Sequence, residues 1–330
     1  MLKKFLILIL VFSPVCIFAA TRVFYFRDSV LARESLFNYP SYIDILAPQA
    51  YAVDENGQIS GSIDAKILNF AKKKKIKVMP LLTNGKFTQK SYQAILNNDS
   101  LQDSVIATLI ARAKENNFYG WQIDFEQMDA SYRGKFSSFI AKMHEEFKKN
   151  NLILSIAVIA QVSEKPEDYE NNLWQNLIGV YDYKTLAENS DFVSVMAYDD
   201  PESRGPVAEM SWLKRALEHS LKLIPASKLS LGIALYYWKW DDKTGKLVET
   251  GGRKGINNVL KKYKYVYHYS AKHEVPYLTY KVKGRPYTLW YENAKSVKKK
   301  FDLIKKYKLH GFSAWALGLE LTNIYPQIRQ

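Results

Sequence analysis

Two carboxylates lie at the end of a strongly apolar stretch, residues 119–126, with the sequence YGWQIDFE. In a β-strand successive side chains alternate faces, so Gln122, Asp124 and Glu126 share one face, while two aromatic residues and an isoleucine occupy the other. Because both faces should meet protein, desolvation and mutual repulsion push the proton affinities of the two carboxyl groups apart. One group can then stay protonated near neutral pH and act as a general acid. The alternative is a structural pair that caps the strand end or binds lysines.

A second stretch places a tyrosine and another carboxylate after an apolar segment. Residues 192–199 have the sequence FVSVMAYD, and strand alternation puts Met196 and Tyr198 on one face. The Tyr198 hydroxyl can therefore point inward beside Glu126. The alternative is a core tyrosine whose hydroxyl bonds a backbone group.

Strand-like and helix-like segments alternate along the chain. Apolar segments predict strands, and amphipathic patterns between them predict helices, such as the one that begins at Ser100. The predicted strands cover residues 22–26, 42–50, 77–82, 119–126, 152–159, 192–199, 229–236 and 311–317. Eight strands with helical connections indicate an α/β fold, a closed parallel (β/α)8 TIM barrel.

One interval is too long for a plain βα unit. Between Tyr236 and Gly311 the sequence predicts a turn, a helix and two alternating segments joined by Lys283-Gly284, followed by the seventh barrel helix at 293–307. This pattern indicates a small α+β insertion at about 238–292, between strands 7 and 8, within one domain that spans residues 21–330. Because loops at the carboxyl ends of the strands build the site of such barrels, the insertion should deepen the groove.

The first twenty residues have the pattern of a secretory signal peptide. Lys3 and Lys4 precede an apolar run, residues 5–12, which is too short to span a bilayer as a helix. We expect cleavage near Ala20, export to a periplasm, cell wall or medium, and no stable membrane anchor afterwards. Cys16 is the only cysteine of the chain, so the exported form would have no disulfide and no thiol chemistry.

The charge balance is strongly basic. The 330-residue chain has 47 Lys and Arg against 33 Asp and Glu, a formal net charge of +14; removing residues 1–20 takes away two lysines and no acid, which leaves +12. Such a charge attracts polyanions, and because export argues against nucleic acid, an anionic cell-wall polymer is the candidate partner. The lysine runs at 72–75 and 298–300 fall in predicted helices, where a solvated face is the interpretation we favour over a specific binding patch.

Residues 119–126 resemble the DGxDxDxE signature of glycoside hydrolase family 18, the chitinases and their relatives. Gly120, Asp124 and Glu126 occupy the positions of the glycine, the last aspartate and the glutamate, whereas Tyr119 and Gln122 replace the first two aspartates. The resemblance implies a (β/α)8 barrel that acts on sugars.

Three other segments extend the resemblance over about residues 21–320. Residues 196–199 are similar to the family's MxYD motif on strand six, whose tyrosine and aspartate contact the N-acetyl group of the substrate. Trp315 occupies the place of the tryptophan under the sugar, and residues 228–236, which end at Tyr236, resemble strand seven. Residues 289–296 and Gly318 are similar to the branch with spore-cortex-lytic N-acetylglucosaminidases, which often lacks the middle aspartate.

The resemblance implies retaining hydrolysis of β-1,4-linked N-acetylglucosamine, in peptidoglycan or chitin-type oligomers, with substrate assistance. Glu126 would be the general acid and base, Asp124 would orient the acetamido group, and Tyr198 would stabilise the oxazolinium ion. The implied substrate-binding residues are Gln122, Met196, Asp199, Trp315 and Tyr236. With a glutamine at 122, we expect Asp124 to stay ionised and to raise the pKa of Glu126.

The sequence predicts no metal and no organic cofactor, because its five histidines lack metal-ligand spacing and it has no GxSxG, P-loop or GxGxxG motif. A catalytically silent sugar-binding protein on the same barrel is the rival function. Silent members commonly lose the glutamate, so the presence of Glu126, Asp124 and Tyr198 favours an enzyme. A basic wall-associated scaffold without a sugar cleft is a third possibility, in which Trp315 would be structural.

Overall fold

A computed structural model describes residues 20–170 and 172–328. The predicted signal peptide lies outside the described residues, apart from Ala20. No helix within the described ranges is long and apolar enough to cross a membrane.

The described residues form fifteen strands and ten α-helices. The strands are β1 (Thr21–Phe26), β2 (Ile45–Val53), β3 (Ile59–Gly61), β4 (Lys77–Val78), β5 (Leu81–Thr83), β6 (Gly120–Asp124), β7 (Ile153–Ile159), β8 (Phe192–Met196), β9 (Leu229–Ala234), β10 (Tyr237–Asp241), β11 (Lys246–Gly251), β12 (Tyr265–Ser270), β13 (Val275–Val282), β14 (Arg285–Trp290) and β15 (Gly311–Trp315). The helices are α1 (Val30–Asn38), α2 (Ala65–Lys74), α3 (Gln89–Leu96), α4 (Asp99–Asn116), α5 (Arg133–Lys149), α6 (Tyr183–Glu188), α7 (Met210–Leu223), α8 (Arg253–Lys262), α9 (Ala294–Tyr307) and α10 (Tyr325–Ile328).

The barrel is closed and parallel. Its strands follow the order β1–β15–β9–β8–β7–β6–β5–β2, and β2 pairs back with β1. The third barrel strand is interrupted between β4 and β5 at Pro80, which has no N–H to give to a neighbouring strand. Helices follow the strands around the outside, so the predicted (β/α)8 TIM barrel is confirmed.

Strand alternation separates two apolar layers. Trp121, Ile123 and Phe125 of β6 point outward and join the large core between the barrel and its helices, where Phe125 stacks on Phe136 of α5 at 6.2 Å between ring centroids. Burying one such side chain contributes about 1.5–3 kcal/mol. Gln122 and the other alternate residues of β6 therefore point into the barrel, as the sequence predicts.

The insertion follows β9 and is a five-stranded antiparallel sheet, in the order β11–β10–β14–β13–β12, with α8 on one face. Lys283 and Gly284, at φ 48° and 82°, form the tight turn between β13 and β14, which confirms the predicted hairpin. A buried pair ties its end to α9, where Lys300 Nζ lies 2.5 Å from Glu292 Oε1. The predicted α+β insertion between barrel strands 7 and 8 is thus present.

Some predicted details were wrong. The strand predicted at 42–50 begins three residues later, because Pro40–Tyr42 form a 3-10 turn. The strand predicted at 229–236 ends at Ala234, and the chain then leaves the barrel to form β10. Lys300 does not belong to a solvated lysine face, since its side chain is only 1% exposed.

Candidate active site

A cavity of about 370 Å³ opens at the carboxyl ends of the barrel strands. Six of the residues predicted for the site line it: Asp124, Glu126, Met196, Tyr198, Asp199 and Trp315. Five lining residues were not singled out from the sequence: Tyr25, Leu81, Gln127, Ile159 and Leu177. Tyr25 lies at an inward position of a predicted strand, and only long-range contacts reveal that it faces this cavity.

Asn84, at the end of β5, holds the backbone of Glu126. Its Nδ2 donates to the carbonyl oxygen of Glu126 at 2.9 Å, and its Oδ1 accepts from the backbone N–H of Glu126 at 3.0 Å. The fully buried Asn84 therefore fixes the backbone two residues beyond Asp124, where the strand itself ends. Sequence analysis missed this residue, which had the signal of a turn and not of a site.

Two further contacts fix this end of β6. The hydroxyl of Tyr181 donates to the carbonyl oxygen of Phe125 at 2.7 Å. At the start of the strand, a Cβ on Gly120 would lie 1.9 Å from the carbonyl oxygen of Ile153, so only glycine lets β6 and β7 approach this closely. The Glu126 carboxyl is thus presented to the cavity by a rigid backbone.

Burial controls the protonation of the two carboxyl groups. Desolvation, and then the charge of Asp199, raise the pKa of Glu126 from 4.5 to about 7. Desolvation and the charge of Glu126 raise the pKa of Asp124 well above its ordinary value. The expected rise at Glu126 is present, but its cause differs from the expectation: Asp124 is buried and favours its protonated form, so it is not the charge that acts on Glu126.

Gln122 lies beneath the cavity and does not line it. Its Nε2 donates to Ser155 Oγ at 2.8 Å and to Ser194 Oγ at 2.9 Å. The Oγ of Ser313 forms hydrogen bonds with Ser194 Oγ at 2.8 Å and with Ser230 Oγ at 2.7 Å. We call these four hydroxyls the serine layer. The expectation that Gln122 contacts substrate is therefore not met, because the amide is fully buried within the barrel. Each serine sits inside an apolar predicted strand, a signal that could have revealed the layer.

Tyr236 also stays off the cavity wall and acts through a neighbour. Its hydroxyl donates to Asp199 Oδ1 at 2.5 Å, and its ring lies edge-on to that of Tyr198 at 6.3 Å between centroids. Asp199 adopts a left-handed backbone conformation, φ 57°, immediately after the strand region. The tyrosine thereby orients the Asp199 carboxylate, and Tyr236, which was predicted to bind substrate, is not among the residues that line the cavity.

Trp315 forms an aromatic surface of the cavity. Its ring packs on that of Tyr25 at 5.2 Å between centroids and belongs to an aromatic cluster with Tyr198 and Tyr236. The ring remains partly exposed, in contrast to a core tryptophan such as Trp121. A flat, partly exposed ring beside a carboxyl that titrates near neutrality can hold the apolar face of a sugar next to a proton donor.

Within residues 20–170 and 172–328 no three His, Cys, Asp or Glu side chains form a group that could hold a metal ion. The polar groups at the cavity are instead carboxyls and phenols. Their arrangement supports proton transfer to and from a bound neutral molecule.

The family model of glycosyl hydrolases family 18 matches residues 21–320. The chain belongs to glycosyl hydrolase family 18. It is therefore a glycosidase by family, and the resemblance found in the sequence is confirmed.

Three relatives define its neighbourhood. The uncharacterized glycosylase YvbX of Bacillus subtilis (strain 168) is 31% identical over 321 residues, covering 94% of this chain and 91% of that protein. The crystal structure of the spore cortex-lytic enzyme SleL of Bacillus megaterium QM B1551 has 25% identity and a TM-score of 0.83, covering 94% of this chain and 73% of that one. The crystal structure of a chitinase from Chromobacterium violaceum ATCC 12472 has 24% identity and a TM-score of 0.84, covering 94% of this chain and 98% of that one. This similarity supports the fold.

Proposed function

We propose that this family 18 glycosidase is exported and cleaves β-1,4-linked N-acetylglucosamine in peptidoglycan by a retaining, substrate-assisted mechanism. The observation that carries the proposal is the Glu126 carboxyl, whose pKa is raised to about 7 on the wall of a cavity lined by Trp315. A carboxyl of this kind is half protonated near neutral pH, so it can give a proton and later accept one.

Glu126 acts first as the general acid. It protonates the glycosidic oxygen, while the carbonyl oxygen of the substrate's own 2-acetamido group attacks the anomeric carbon and displaces the leaving group. The product of this step is an oxazolinium ion. Glu126, now ionised, then removes a proton from water, which attacks the anomeric carbon and restores the acetamido group with retained configuration.

Asp124 and Tyr198 orient the acetamido group. The buried Oδ1 of Asp124 has no hydrogen-bond partner among the described residues, so it is available to accept from the acetamido N–H. Tyr198 lines the same cavity, and desolvation raises the pKa of its phenol well above its ordinary value, which keeps it a hydrogen-bond donor. Its donor hydroxyl suits the acetamido oxygen.

Similarity to a spore cortex-lytic enzyme supports peptidoglycan as the polymer, and chitin-type oligomers are the comparison substrate. The test is mass spectrometry of products after incubation of each substrate with the wild type, Glu126→Gln and Glu115→Gln. Glu115 is exposed at the opposite end of the barrel and serves as the matched control. The wild type and the control should release fragments with N-acetylglucosamine at the new reducing end, and Glu126→Gln should lose at least about 10²–10⁴-fold in turnover.

A substrate without the acetyl group tests the mechanism separately. Substrate assistance requires the acetamido oxygen, so a de-N-acetylated oligomer should bind without being cleaved. Cleavage of that oligomer at a comparable rate would contradict substrate assistance. Absence of products from both N-acetylated polymers, with binding retained, would favour a silent sugar-binding protein.

Export is tested by fractionation of the native host and by sequencing the amino terminus of the protein. We expect a chain that begins near residue 21 in the exported fraction. A full-length chain found only with the cytoplasm would contradict this part of the proposal.

A further inference from the structure

The end of the barrel opposite the active-site cavity is rich in lysine. In a (β/α)8 barrel the helices run antiparallel to the strands, so the carboxyl ends of the barrel helices lie at this end, which we call the basal face. Five helices finish there with lysine in the last turn or directly after it: Lys72, Lys73, Lys74 and Lys75 on α2, Lys114 on α4, Lys148 and Lys149 on α5, Lys222 on α7, and Lys305, Lys306 and Lys308 on α9. The lysines of the barrel helices therefore gather at one end of the barrel.

Two loops beside the active-site cavity are acidic. The loop at residues 160–182, after β7, carries five acidic residues and one lysine, and residues 197–209, after β8, carry four acidic residues and one arginine. Both loops border the cavity, to which they contribute Leu177, Tyr198 and Asp199. The loops beside the cavity are thus acidic, whereas the insertion, residues 238–292, carries twelve basic and five acidic residues.

The basal face contains two adjoining cavities of about 550 and 620 Å³, which we call the basal groove. Lys75, Lys77 and Tyr119 line both cavities, and Lys77 Nζ lies 4.1 Å from the centroid of the Tyr119 ring. Lys72 lines the larger cavity and Lys74 the smaller one. The groove therefore has an aromatic surface bordered by four lysines.

Most acidic groups that face the groove already have partners. Asp44 binds the Arg22 guanidinium at 2.7 Å, and Asp191 accepts from the backbone N–H of Leu154 at 2.8 Å. Glu115 is exposed at its edge. The four groove lysines, in contrast, make no ion pair within the described parts of the chain, so their charge is directed to solvent.

Helix-end electrostatics explains only part of this pattern. A lysine in the last turn of a helix is favoured by the helix dipole by about 0.3–1 kcal/mol, which accounts for Lys72 and Lys74. Lys77 lies on strand β4 and packs over Tyr119, outside any helix. The helix dipole also does not explain why these lysines border a cavity. The groove is therefore better explained by a ligand that is itself negatively charged.

We propose that the basal groove binds a phosphate-bearing polymer and thereby holds the barrel with its catalytic end facing away from that polymer. Lysine binds phosphate as a compact point charge, whereas planar, bidentate recognition of a carboxylate is the work of arginine. The only arginine of the groove, Arg22, is occupied by Asp44. A flexible chain of phosphates fits a groove of unpaired lysines.

The test measures binding of long-chain inorganic polyphosphate to the mature chain at several salt concentrations. The variant replaces Lys72, Lys75 and Lys77 together by glutamine. Its matched control replaces three exposed lysines, Lys261, Lys262 and Lys264, at the end of α8 in the insertion, by glutamine.

The basal variant should bind polyphosphate at least about tenfold more weakly, with a slope of log affinity against log salt that is reduced by about two to three. The control should bind like the wild type, and all three proteins should hydrolyse a soluble oligomer equally. An equal loss of polyphosphate affinity in both variants, or no loss of affinity in the basal variant, would overturn the proposal. If the triple change prevents folding, the double change at Lys72 and Lys75, both exposed, answers the same question.

Polygalacturonate of matched charge density distinguishes the chemistry of the ligand. It should bind more weakly than polyphosphate, and the basal variant should change its binding less. Equal or tighter binding of the carboxylate polymer would overturn the assignment to phosphate.

Discussion

Replacing Glu126 by glutamine should make the protein more stable while it removes activity. The side chain is held in a desolvated cavity by a backbone that Asn84 fixes, so the ionised carboxylate is only partly hydrated. Glutamine keeps the shape of the side chain and removes the charge. The change therefore isolates the free energy that ionisation costs the folded protein.

The magnitude follows from the pKa of Glu126, which burial raises from 4.5 to about 7. Below pH 4.5 the carboxyl is protonated in both folded and unfolded chains, and its charge has no effect on stability. Between pH 4.5 and 7 the unfolded chain releases the proton while the folded chain keeps it, so the wild type loses stability as pH rises. At 1.36 kcal/mol per pKa unit the complete loss is about 3 kcal/mol.

We expect Glu126→Gln to gain about 1–3 kcal/mol in free energy of unfolding at pH 8, because the carboxyl remains partly exposed and shares its titration with Asp124. The corresponding rise in Tm is about 2–5 °C. Urea unfolding of both proteins at pH 4, 6 and 8 measures the difference at each pH. Glu115→Gln, an exposed control, should show no difference that grows with pH. A Glu126→Gln protein that is no more stable than wild type at pH 8 would refute the reasoning.

Three further changes test the site, each by kcat/KM and unfolding. Asn84→Ala removes both hydrogen bonds to the Glu126 backbone, so activity should fall by about 10²-fold and stability by about 1–3 kcal/mol. Asn116→Ala, which removes one comparable bond at a helix end, should leave activity unchanged. Asp199→Asn removes the charge that raises the pKa of Glu126, so the alkaline limb of the kcat/KM profile, expected near pH 7, should move to lower pH; an unmoved limb would leave desolvation as the sole cause. Trp315→Ala should lower kcat/KM by about 10–100-fold through lost contact with the sugar, and an unchanged value would remove Trp315 from the binding surface.

The barrel could be predicted because its strands are buried on both faces. Such strands are short apolar runs separated by amphipathic helices, and each of the eight predicted runs forms part of a barrel strand. On β6 the alternation of residues also gave the correct faces, since Trp121 packs outward and Gln122 inward. Because side chains alternate along a strand, the sequence shows which residues share a face even when the neighbouring strands are unknown.

The missing details depend on contacts between residues far apart in the chain. Asn84 precedes Glu126 by 42 residues, and its role exists only because β5 and β6 are neighbours in the sheet. The insertion strands β11 and β12 are largely exposed, so their patterns resemble those of loops. Tyr236 was expected to touch substrate because it ends a predicted strand, but the chain turns there and directs the hydroxyl to Asp199.

In the proposed mechanism, the glutamine at position 122 changes where the catalytic proton resides. The serine layer and the Gln122 amide are neutral at every pH of interest, and a neutral hydrogen-bonded layer costs less to bury than an additional carboxylate. Asp124 then has no buried acid below it with which to share a proton, so it titrates together with Glu126. Because the charge of each carboxylate raises the proton affinity of the other, ionisation of Glu126 during glycosidic cleavage strengthens the hold of Asp124 on its proton. A neutral Asp124 adds nothing to the proton affinity of Glu126 when Glu126 must accept a proton from water, so desolvation and the charge of Asp199 are what make Glu126 the base.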